Sequence, residues 1–106
     1  MLDSVGVAYE IRFTEEARSH LGELLARGRR KVLDRLDVLL RYDPKRQTRN
    51  LKALRPNLLA RYELRIGDFR VFFDVEDSEE DKAVIILAIG RKEGNKLCVS
   101  GKEYSL

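Results

Sequence analysis

Alternating apolar and charged residues predict strands at two places in the chain. In residues 8–13, aromatic and aliphatic side chains alternate with charged ones, as in a half-exposed strand. The same alternation runs through residues 59–76, on both sides of Gly67-Asp68. A glycine at the first central position accepts the positive φ of a two-residue hairpin turn. The second stretch is therefore predicted to be a β-hairpin whose turn determines which residues face each other.

Apolar residues at helical spacing predict two helices between the first strand and the hairpin. Thr14 supplies an N-cap oxygen for a first helix that extends to about Ala26, and Gly28 is expected to end it. The spacing of the leucines predicts a second helix over residues 29–42, which Asp43-Pro44 terminates. Both apolar stripes must be buried, and a sheet is the partner that the rest of the chain provides.

The remaining segments complete the predicted sheet. Residues 45–57 are expected to form a basic loop, and the apolar run over residues 83–91 fits a buried central strand. Residues 96–100 fit a short strand, with a turn at Gly101. The order strand, helix, helix, strand, strand, strand predicts an α+β fold with a three- to four-stranded, mostly antiparallel sheet. The helices cover one face of this sheet, and the other face is expected to stay open.

The predicted hairpin register brings two arginines together on the open face. A two-residue turn at 67–68 places Arg65 opposite Arg70. Like charges directly opposite each other disfavour a sheet by up to about 1 kcal/mol, so the pair suggests a bound anion. The alternatives are a surface pair neutralised by Glu63 and, for Arg61, an exposed ion pair with Asp74. The residues predicted on this face are Arg61, Glu63, Arg65, Arg70 and Phe72.

Positive charge is concentrated in the middle of the chain. The 106 residues, 43% of them hydrophobic, predict a single domain over residues 1–106 with a net charge of +3. Residues 41–70 contain nine basic and three acidic residues, which is a local charge of +6. Basic patches of this kind are typical of proteins that bind phosphates, and a solvated surface is the alternative interpretation.

Several function classes have no support in the sequence. The lone Cys98 cannot form an internal disulfide, and His20 is predicted to be structural because it lies on the first helix. The chain has no zinc or nucleotide-binding motif and no apolar run of about 18 residues, so we expect no metal, no cofactor and no membrane partner. A soluble cytoplasmic protein is the expectation.

Three stretches of the sequence resemble the RelE/ParE superfamily of bacterial toxins. They are the segment from Asn50 to Leu54, the hairpin from Tyr62 to Phe73, and the strand end from Ala88 to Lys92. The resemblance implies a toxin held inactive by an antitoxin, with which it forms a hetero-oligomer. For the RelE branch it further implies a ribosome-dependent endoribonuclease that cuts mRNA without a metal, with the ribosome and mRNA as partners.

In that chemistry the 2′-hydroxyl attacks the adjacent phosphate, so the enzyme must supply cations and a proton donor and acceptor. Arg70 matches the family arginine at the scissile phosphate. The residues to which the resemblance extends a catalytic role are Arg61, Glu63, Arg65, Arg70 and Lys92. The predicted RNA contacts are Arg49, Lys52, Arg55, Phe72 and Arg91. The alternative for Phe72 is that it caps the sheet under the tail, and the alternative for Arg91 and Lys92 is that they solvate the end of a strand.

Two positions depart from the RelE pattern. Glu63 stands where RelE has a second catalytic lysine, and the RelE tyrosine that stacks on an mRNA base aligns with Cys98. Tyr104 is six residues later and would reach the site only if the tail folds back. Two other functions therefore stay open: a ParE-like toxin that blocks DNA gyrase, and a family member that binds its antitoxin without being toxic.

Overall fold

Strands and two amphipathic helices form the fold, and the computed structural model describes it over residues 8–105. Residues 1–7 and 106 of the predicted single domain lie outside this range. The elements in chain order are β1 (Glu10–Phe13), α1 (Glu15–Glu23), α2 (Ala26–Leu40), β2 (Leu51–Ala53), β3 (Tyr62–Ile66), β4 (Phe69–Asp77), β5 (Lys82–Glu93), β6 (Lys96–Val99) and β7 (Lys102–Ser105).

The two helices begin and end for identifiable reasons. Thr14 is the N-cap of α1, and its Oγ1 accepts a hydrogen bond from the Ala17 amide at 3.1 Å. The chain leaves α1 after Glu23, and the Arg29 guanidinium in α2 donates to the carbonyl oxygens of Gly22 and Leu24. An arginine from the next helix thus satisfies the carbonyls that the end of α1 leaves without partners.

The predicted break at Gly28 is wrong, because Gly28 lies in the first turn of α2. Its role is to let the hairpin approach the helix. A Cβ at this position would lie 2.8 Å from Cζ of Phe69, which begins β4. The absence of a side chain therefore allows the Phe69 ring to pack directly on the helix backbone.

One seven-stranded sheet contains all the strands of residues 8–105. The strand order is β2-β3-β4-β5-β6-β7, with all neighbours antiparallel, and β1 pairs in parallel with the first half of β5. The α+β class and the mostly antiparallel sheet are confirmed, but the predicted number of three to four strands is too small. Residues 51–53 of the predicted basic loop pair with β3, and the tail folds into a second hairpin, β6–β7.

Two separate apolar clusters lie on the two faces of this sheet. The larger cluster joins both helices to the sheet, with the fully buried Leu36, Leu40 and Phe73 among its members. The smaller cluster lies on the opposite face and consists of Ala60, Phe72, Ala88, Leu97 and Val99, with Leu54 and Leu87 packed against it. The helices cover one face as predicted, while the other face is partly covered by residues 54–60 and by the tail.

A bulge in β5 is held by hydrogen bonds with two side chains, at the N-cap and in the body of α1. The pairing of β4 with β5 shifts between Phe72 and Phe73, which leaves Leu87 outside the regular ladder. Thr14 Oγ1 donates to the Ile86 carbonyl at 3.2 Å, and His20 Nδ1 accepts from the Ile89 amide at 3.1 Å. His20 therefore makes a structural contact with the backbone of β5.

No helix within residues 8–105 is long and apolar enough to span a membrane.

Asp77, at the end of β4, contacts residues from three other segments of the chain. Its carboxylate binds the ammonium groups of Lys82 at 2.6 Å and Lys45 at 2.9 Å, and it accepts a hydrogen bond from the Tyr9 hydroxyl at 2.9 Å. The hydrogen bonds from Lys82, Lys45 and Tyr9 hold the pKa of the Asp77 carboxyl well below its usual range. Ionised Asp77 therefore stabilises the contacts between these segments.

We expect Asp77→Asn to unfold at a lower urea concentration than the wild type at pH 7, by a margin that shrinks in acid. A carboxylate with a lowered folded-state pKa stabilises the fold above its unfolded pKa of about 4. This contribution is lost as the pH falls toward the folded value, so the margin should narrow between about pH 4 and pH 2. The exposed Glu79, changed to glutamine, is the control. A margin for Asp77→Asn that does not change with pH would contradict the ion cluster.

Candidate functional site

The register of the β3–β4 hairpin confirms the prediction. Arg65 lies opposite Arg70, and Glu63 lies opposite Phe72. Gly67 has a φ of 58°, as the first position of the two-residue turn requires. Residues opposite each other on neighbouring strands share a face, so the two arginines lie on the face that the helices do not cover.

The ion pair considered between Arg61 and Asp74 is not formed within the described residues. Asp74 Oδ1 instead accepts a hydrogen bond from the backbone N–H of Arg61 at 2.7 Å. Arg61 lies just before β3, where a backbone amide without a strand partner needs another acceptor. The carboxylate therefore fixes the start of the strand, and the Arg61 side chain is exposed.

Arg70 is folded back over the hairpin turn and is 8% exposed. Its Nη1 donates to the carbonyl oxygens of Gly67 at 2.8 Å and Phe69 at 2.9 Å. Its Nε and Nη2 donate no hydrogen bond within residues 8–105, and a guanidinium has five N–H donors in all. The turn thus holds the arginine in place while leaving donors for an anion.

Glu63 and Arg65 lie side by side on the same face, two residues apart on β3. The Arg65 Nε is 3.5 Å from the Glu63 Oε1, and the Nε is enclosed without a hydrogen-bond acceptor in the described chain. Glu63 is 8% exposed, and no described residue donates a hydrogen bond to its carboxylate. The two side chains are an ion pair, with Glu63 buried and the Arg65 side chain 38% exposed. Buried polar atoms in native proteins are nearly always hydrogen-bonded, so the enclosed Arg65 Nε is an exception that needs an explanation.

An apolar groove opens beside Glu63 on this face. It has a volume of about 770 Å³. The residues that line the groove are Leu54, Asn57, Leu58, Leu59, Glu63, Phe72, Leu97 and Tyr104. The sequence did not predict the groove, because its walls come from a loop, two strands of one hairpin and the tail. The one signal in the sequence was the unusual Leu58-Leu59 pair, and Leu58 is fully exposed.

Phe72 corrects the expectation of an open face. It was predicted either to stack on an RNA base or to cap the sheet under the tail. It is 3% exposed and belongs to the smaller apolar cluster, which fits the second interpretation. Residues 54–60 and the tail pack against it, because the apolar surface on this side of the sheet also has to be buried. Phe72 therefore contributes to the floor of the groove and does not project from it.

The loop that forms one wall of the groove is held by Asn57. Its Oδ1 accepts from the amides of Leu59 at 2.6 Å and Ala60 at 3.0 Å. Its Nδ2 donates to the carbonyl oxygens of Arg55 at 2.7 Å and Ala60 at 2.9 Å. Four hydrogen bonds from one side chain fix this short loop, so the exposed Leu58 projects from an ordered backbone.

The tail folds back and brings Tyr104 to the groove. Ser100 and Gly101 both have positive φ in the β6–β7 turn, and Ser100 Oγ donates to the Glu23 carboxylate at 3.1 Å. Tyr104 lies opposite Leu97, and it is 41% exposed. Cys98 lies opposite Arg91 on the other face, and burial raises the pKa of its thiol. Tyr104 is therefore a partly exposed aromatic ring that lines the groove, whereas Cys98, the position that aligned with the RelE tyrosine, lies on the other face.

The structure separates the predicted basic pair Arg91-Lys92. Arg91 lies opposite Phe69 on the helix side of the sheet, with its guanidinium carbon 5.4 Å from the centroid of the Phe69 ring. Lys92 lies opposite Leu97 on the groove side. Successive side chains of a strand point to opposite faces, so only Lys92 can act together with Arg65 and Arg70.

Of the predicted loop cations, Lys52 is the one that joins the site. It lies on β2 directly opposite Glu63, so it shares the groove face. Arg49 and Arg55 are exposed and lie just before and after β2. Within residues 8–105, none of these three cations forms a salt bridge with a carboxylate, and they extend the basic surface along the edge of the sheet.

Within the described residues, no group of three or more histidine, cysteine, aspartate or glutamate side chains is arranged to hold a metal ion. What the face presents is an apolar groove with one carboxylate, bordered by guanidinium and ammonium groups. Such a surface suits a ligand that combines apolar or aromatic parts with negative charge.

Comparison with known proteins gives a consistent result. The model of the family described as ParE toxin of type II toxin-antitoxin system, parDE, matches residues 11–95. Among solved structures, a chain in the crystal structure of the toxin–antitoxin complex RelBE2 from Mycobacterium tuberculosis is similar, with 29% sequence identity and a TM-score of 0.68. The match covers 85% of this chain and 98% of that chain. No curated protein sequence gives a significant match.

Proposed function

Since this chain belongs to the ParE toxin family of type II toxin–antitoxin systems, within the RelE/ParE superfamily, we propose that it inhibits translation by cutting mRNA on the ribosome. Its partner in the toxin–antitoxin system is an antitoxin. The ribosome and mRNA are the proposed targets, which would place the protein in the cytoplasm.

The observation that carries this proposal is the pairing of Arg65 with Arg70. A sheet is destabilised by like charges opposite each other, and a phosphate between them would remove that cost. Arg70 is already held by the turn carbonyls and keeps donors unused, so it needs little reorganisation to bind an anion. Lys52 and Lys92 lie on the same face and add positive charge around that position.

The proposed reaction is an internal transfer at phosphorus. The 2′-oxygen forms a bond to the phosphorus and loses its proton, while the bond from phosphorus to the 5′-oxygen breaks and that oxygen gains a proton. The products are a 2′,3′-cyclic phosphate and a free 5′-hydroxyl. Arg70 and Arg65 would stabilise the charge of the pentacoordinate intermediate, and Lys92 is the candidate to protonate the leaving oxygen.

Primer extension on translating ribosomes tests the proposal. Wild-type protein should produce cuts within codons, and Arg70→Ala should reduce the cutting rate by about 100-fold or more, as expected for removal of one donor to the transition state. Arg91→Ala is the matched control, because it removes an arginine from the other face of the neighbouring strand. Its cutting rate should be unchanged.

Arg70 also binds the turn, so its role must be separated from a loss of folding. Arg70→Lys keeps the positive charge but not the planar fork, and we expect it to retain partial activity. Thermal unfolding of each variant shows whether the fold is kept. If folded Arg70→Ala cuts mRNA as fast as the wild type, the proposed site is wrong.

A second candidate is inhibition of DNA gyrase without RNA cleavage. It is favoured by the family model, which is that of the ParE toxin, and by Glu63, a carboxylate where RelE has a lysine. A gyrase supercoiling assay distinguishes the two. Inhibition of supercoiling by a protein that leaves ribosome-bound mRNA intact would support this candidate. Normal growth of cells in which the protein is expressed without its antitoxin would contradict both candidate functions.

A further inference from the structure

Glu63 and Arg65 form an ion pair on the groove face whose hydrogen-bonding groups are largely unused within residues 8–105. The Glu63 carboxylate lines the apolar groove and receives no hydrogen bond from residues 8–105. Arg65 lies 3.5 Å away, and its guanidinium donates no hydrogen bond within the same residues. The ion pair with Arg65 offsets part of the cost of burying the Glu63 carboxylate. A ligand that donates hydrogen bonds to the carboxylate oxygens would offset more of this cost, so such a ligand would be favoured here.

The order of hydrogen-bonding groups along this ion pair selects a particular partner. Arg65 supplies N–H donors, and the two carboxylate oxygens of Glu63 are acceptors. A complementary ligand presents one acceptor followed by two donors. The Watson–Crick edge of guanine has this order, with O6 followed by N1–H and the N2 amino group. Adenine and cytosine place a donor where guanine has its acceptor, and uracil has a single donor between two carbonyl oxygens.

The rest of the groove suits a nucleotide. Leu54 and Leu97 offer apolar walls, Phe72 contributes to the floor, and the partly exposed ring of Tyr104 is available to stack on a base. The volume of about 770 Å³ can accommodate a base together with its sugar. Lys52 and Arg70 share the face and would meet the phosphates.

We propose that the groove binds a guanine base, with Glu63 and Arg65 as the residues that recognise its Watson–Crick edge. The inference rests on the proposed RNA-cutting function and names the nucleotide that the site prefers. It gives Glu63 a role in recognition instead of the catalytic role that the resemblance implied. The guanidinium of Arg65 has five N–H donors, so those that do not reach the base are left for the phosphate between Arg65 and Arg70. Recognition by pairing with the base edge is the usual way in which proteins select single-stranded RNA bases.

A protein partner is the alternative occupant. The side-chain amide of an asparagine or glutamine also presents an acceptor beside a donor, and leucines would suit an antitoxin segment. An arginine from a partner would bind Glu63 but would be repelled by Arg65. The nucleotide is favoured because the groove is bordered by cations on β2, β4 and β5 that no described carboxylate neutralises.

Binding of nucleoside 3′-monophosphates to the isolated protein tests the inference. Guanosine 3′-monophosphate should bind at least about tenfold more tightly than adenosine 3′-monophosphate, since a bidentate base contact discriminates by about this factor. Inosine 3′-monophosphate, which lacks the N2 amino group, should bind with intermediate affinity. Calorimetry measures the affinities, and NMR shift changes locate the site.

Glu63→Gln should remove the preference for guanine and leave adenosine 3′-monophosphate binding no weaker. Glutamine has nearly the same shape, so the fold should be kept, which thermal unfolding verifies. Glu76→Gln is the matched control, because Glu76 is an exposed glutamate on the neighbouring strand β4. This variant should keep the preference of the wild type.

Three results would overturn the inference: equal affinity for the two nucleotides, a guanine preference that survives Glu63→Gln, or no nucleotide binding at millimolar concentration. The last result, combined with weaker antitoxin binding by Glu63→Gln, would assign the groove to the antitoxin. The test uses no ribosomes, so it is separate from the proposed function. A protein that prefers guanine but cuts no mRNA would contradict only the proposed function, and one that cuts mRNA without this preference would contradict only this inference.

Discussion

Phe73→Ala is expected to lower the free energy of unfolding by about 3–5 kcal/mol, which is the usual cost of removing a buried phenylalanine. Phe73 is fully buried in the cluster between the helices and the sheet, and its ring stacks on Tyr62 with 5.4 Å between centroids. The cavity left by the ring cannot be filled by neighbours that belong to two helices and several strands. Domains of this size are stable by about 5–15 kcal/mol, so the variant loses a large share of its stability.

Urea unfolding of the variant beside a matched control checks this expectation. Val38→Ala is the control, because Val38 lies on α2 and is 66% exposed, and its stability should change by less than about 0.5 kcal/mol. A loss below about 1 kcal/mol for Phe73→Ala would mean that the helices do not pack on this face of the sheet as described.

Gly90→Ala is expected to destabilise the protein by about 1–3 kcal/mol and to loosen the tail. A Cβ at Gly90 would lie 2.6 Å from Cγ2 of Val99 and 2.8 Å from the backbone oxygen of Cys98. The oxygen belongs to β6 and cannot rotate away, so the strand itself would have to move from β5. Since β6 carries Leu97, the same movement would open the apolar groove.

Gly22→Ala provides the matched control for this variant. A Cβ at Gly22, on α1, meets no atom within 4 Å, and alanine is the better helix former by about 0.5–1 kcal/mol. The two glycine variants should therefore change stability in opposite directions. Amide hydrogen exchange should show faster exchange in β6 for Gly90→Ala alone. Equal stability of Gly90→Ala and the wild type would contradict the close approach of the two strands.

The variants described above fall into two groups, those that affect the stability of the fold and those that affect ligand binding. Phe73 and Gly90 affect the fold, while Arg70 and Glu63 are proposed to act on the ligand. Stability and activity should therefore separate: Glu63→Gln should unfold like the wild type but lose guanine preference, whereas Gly90→Ala should lose both stability and the shape of the groove. Measuring stability and activity on the same set of variants distinguishes residues that contact the ligand from residues that maintain the fold around it.

The sequence by itself determined the elements that depend on local pattern. Alternation with a period of two and a glycine in the turn placed Arg65 opposite Arg70, and the structure has that register. Helical spacing predicted both helices, although Gly28 was misassigned because its close contact with Phe69 is not local. The α+β class followed from the order of elements, since both apolar helix faces need one sheet face.

Only the tertiary structure decided how the other sheet face is used. The short strands β2, β6 and β7 carry weak local signals, and they form because the long strands offer them unpaired edges. Their docking buries Phe72 and brings Tyr104 to the groove that Glu63 lines. These outcomes depend on contacts between residues far apart in the chain, which no local pattern encodes. The face that alternation alone predicted to be open and basic is therefore a groove with an apolar floor, a Glu63–Arg65 ion pair beside it and a basic border.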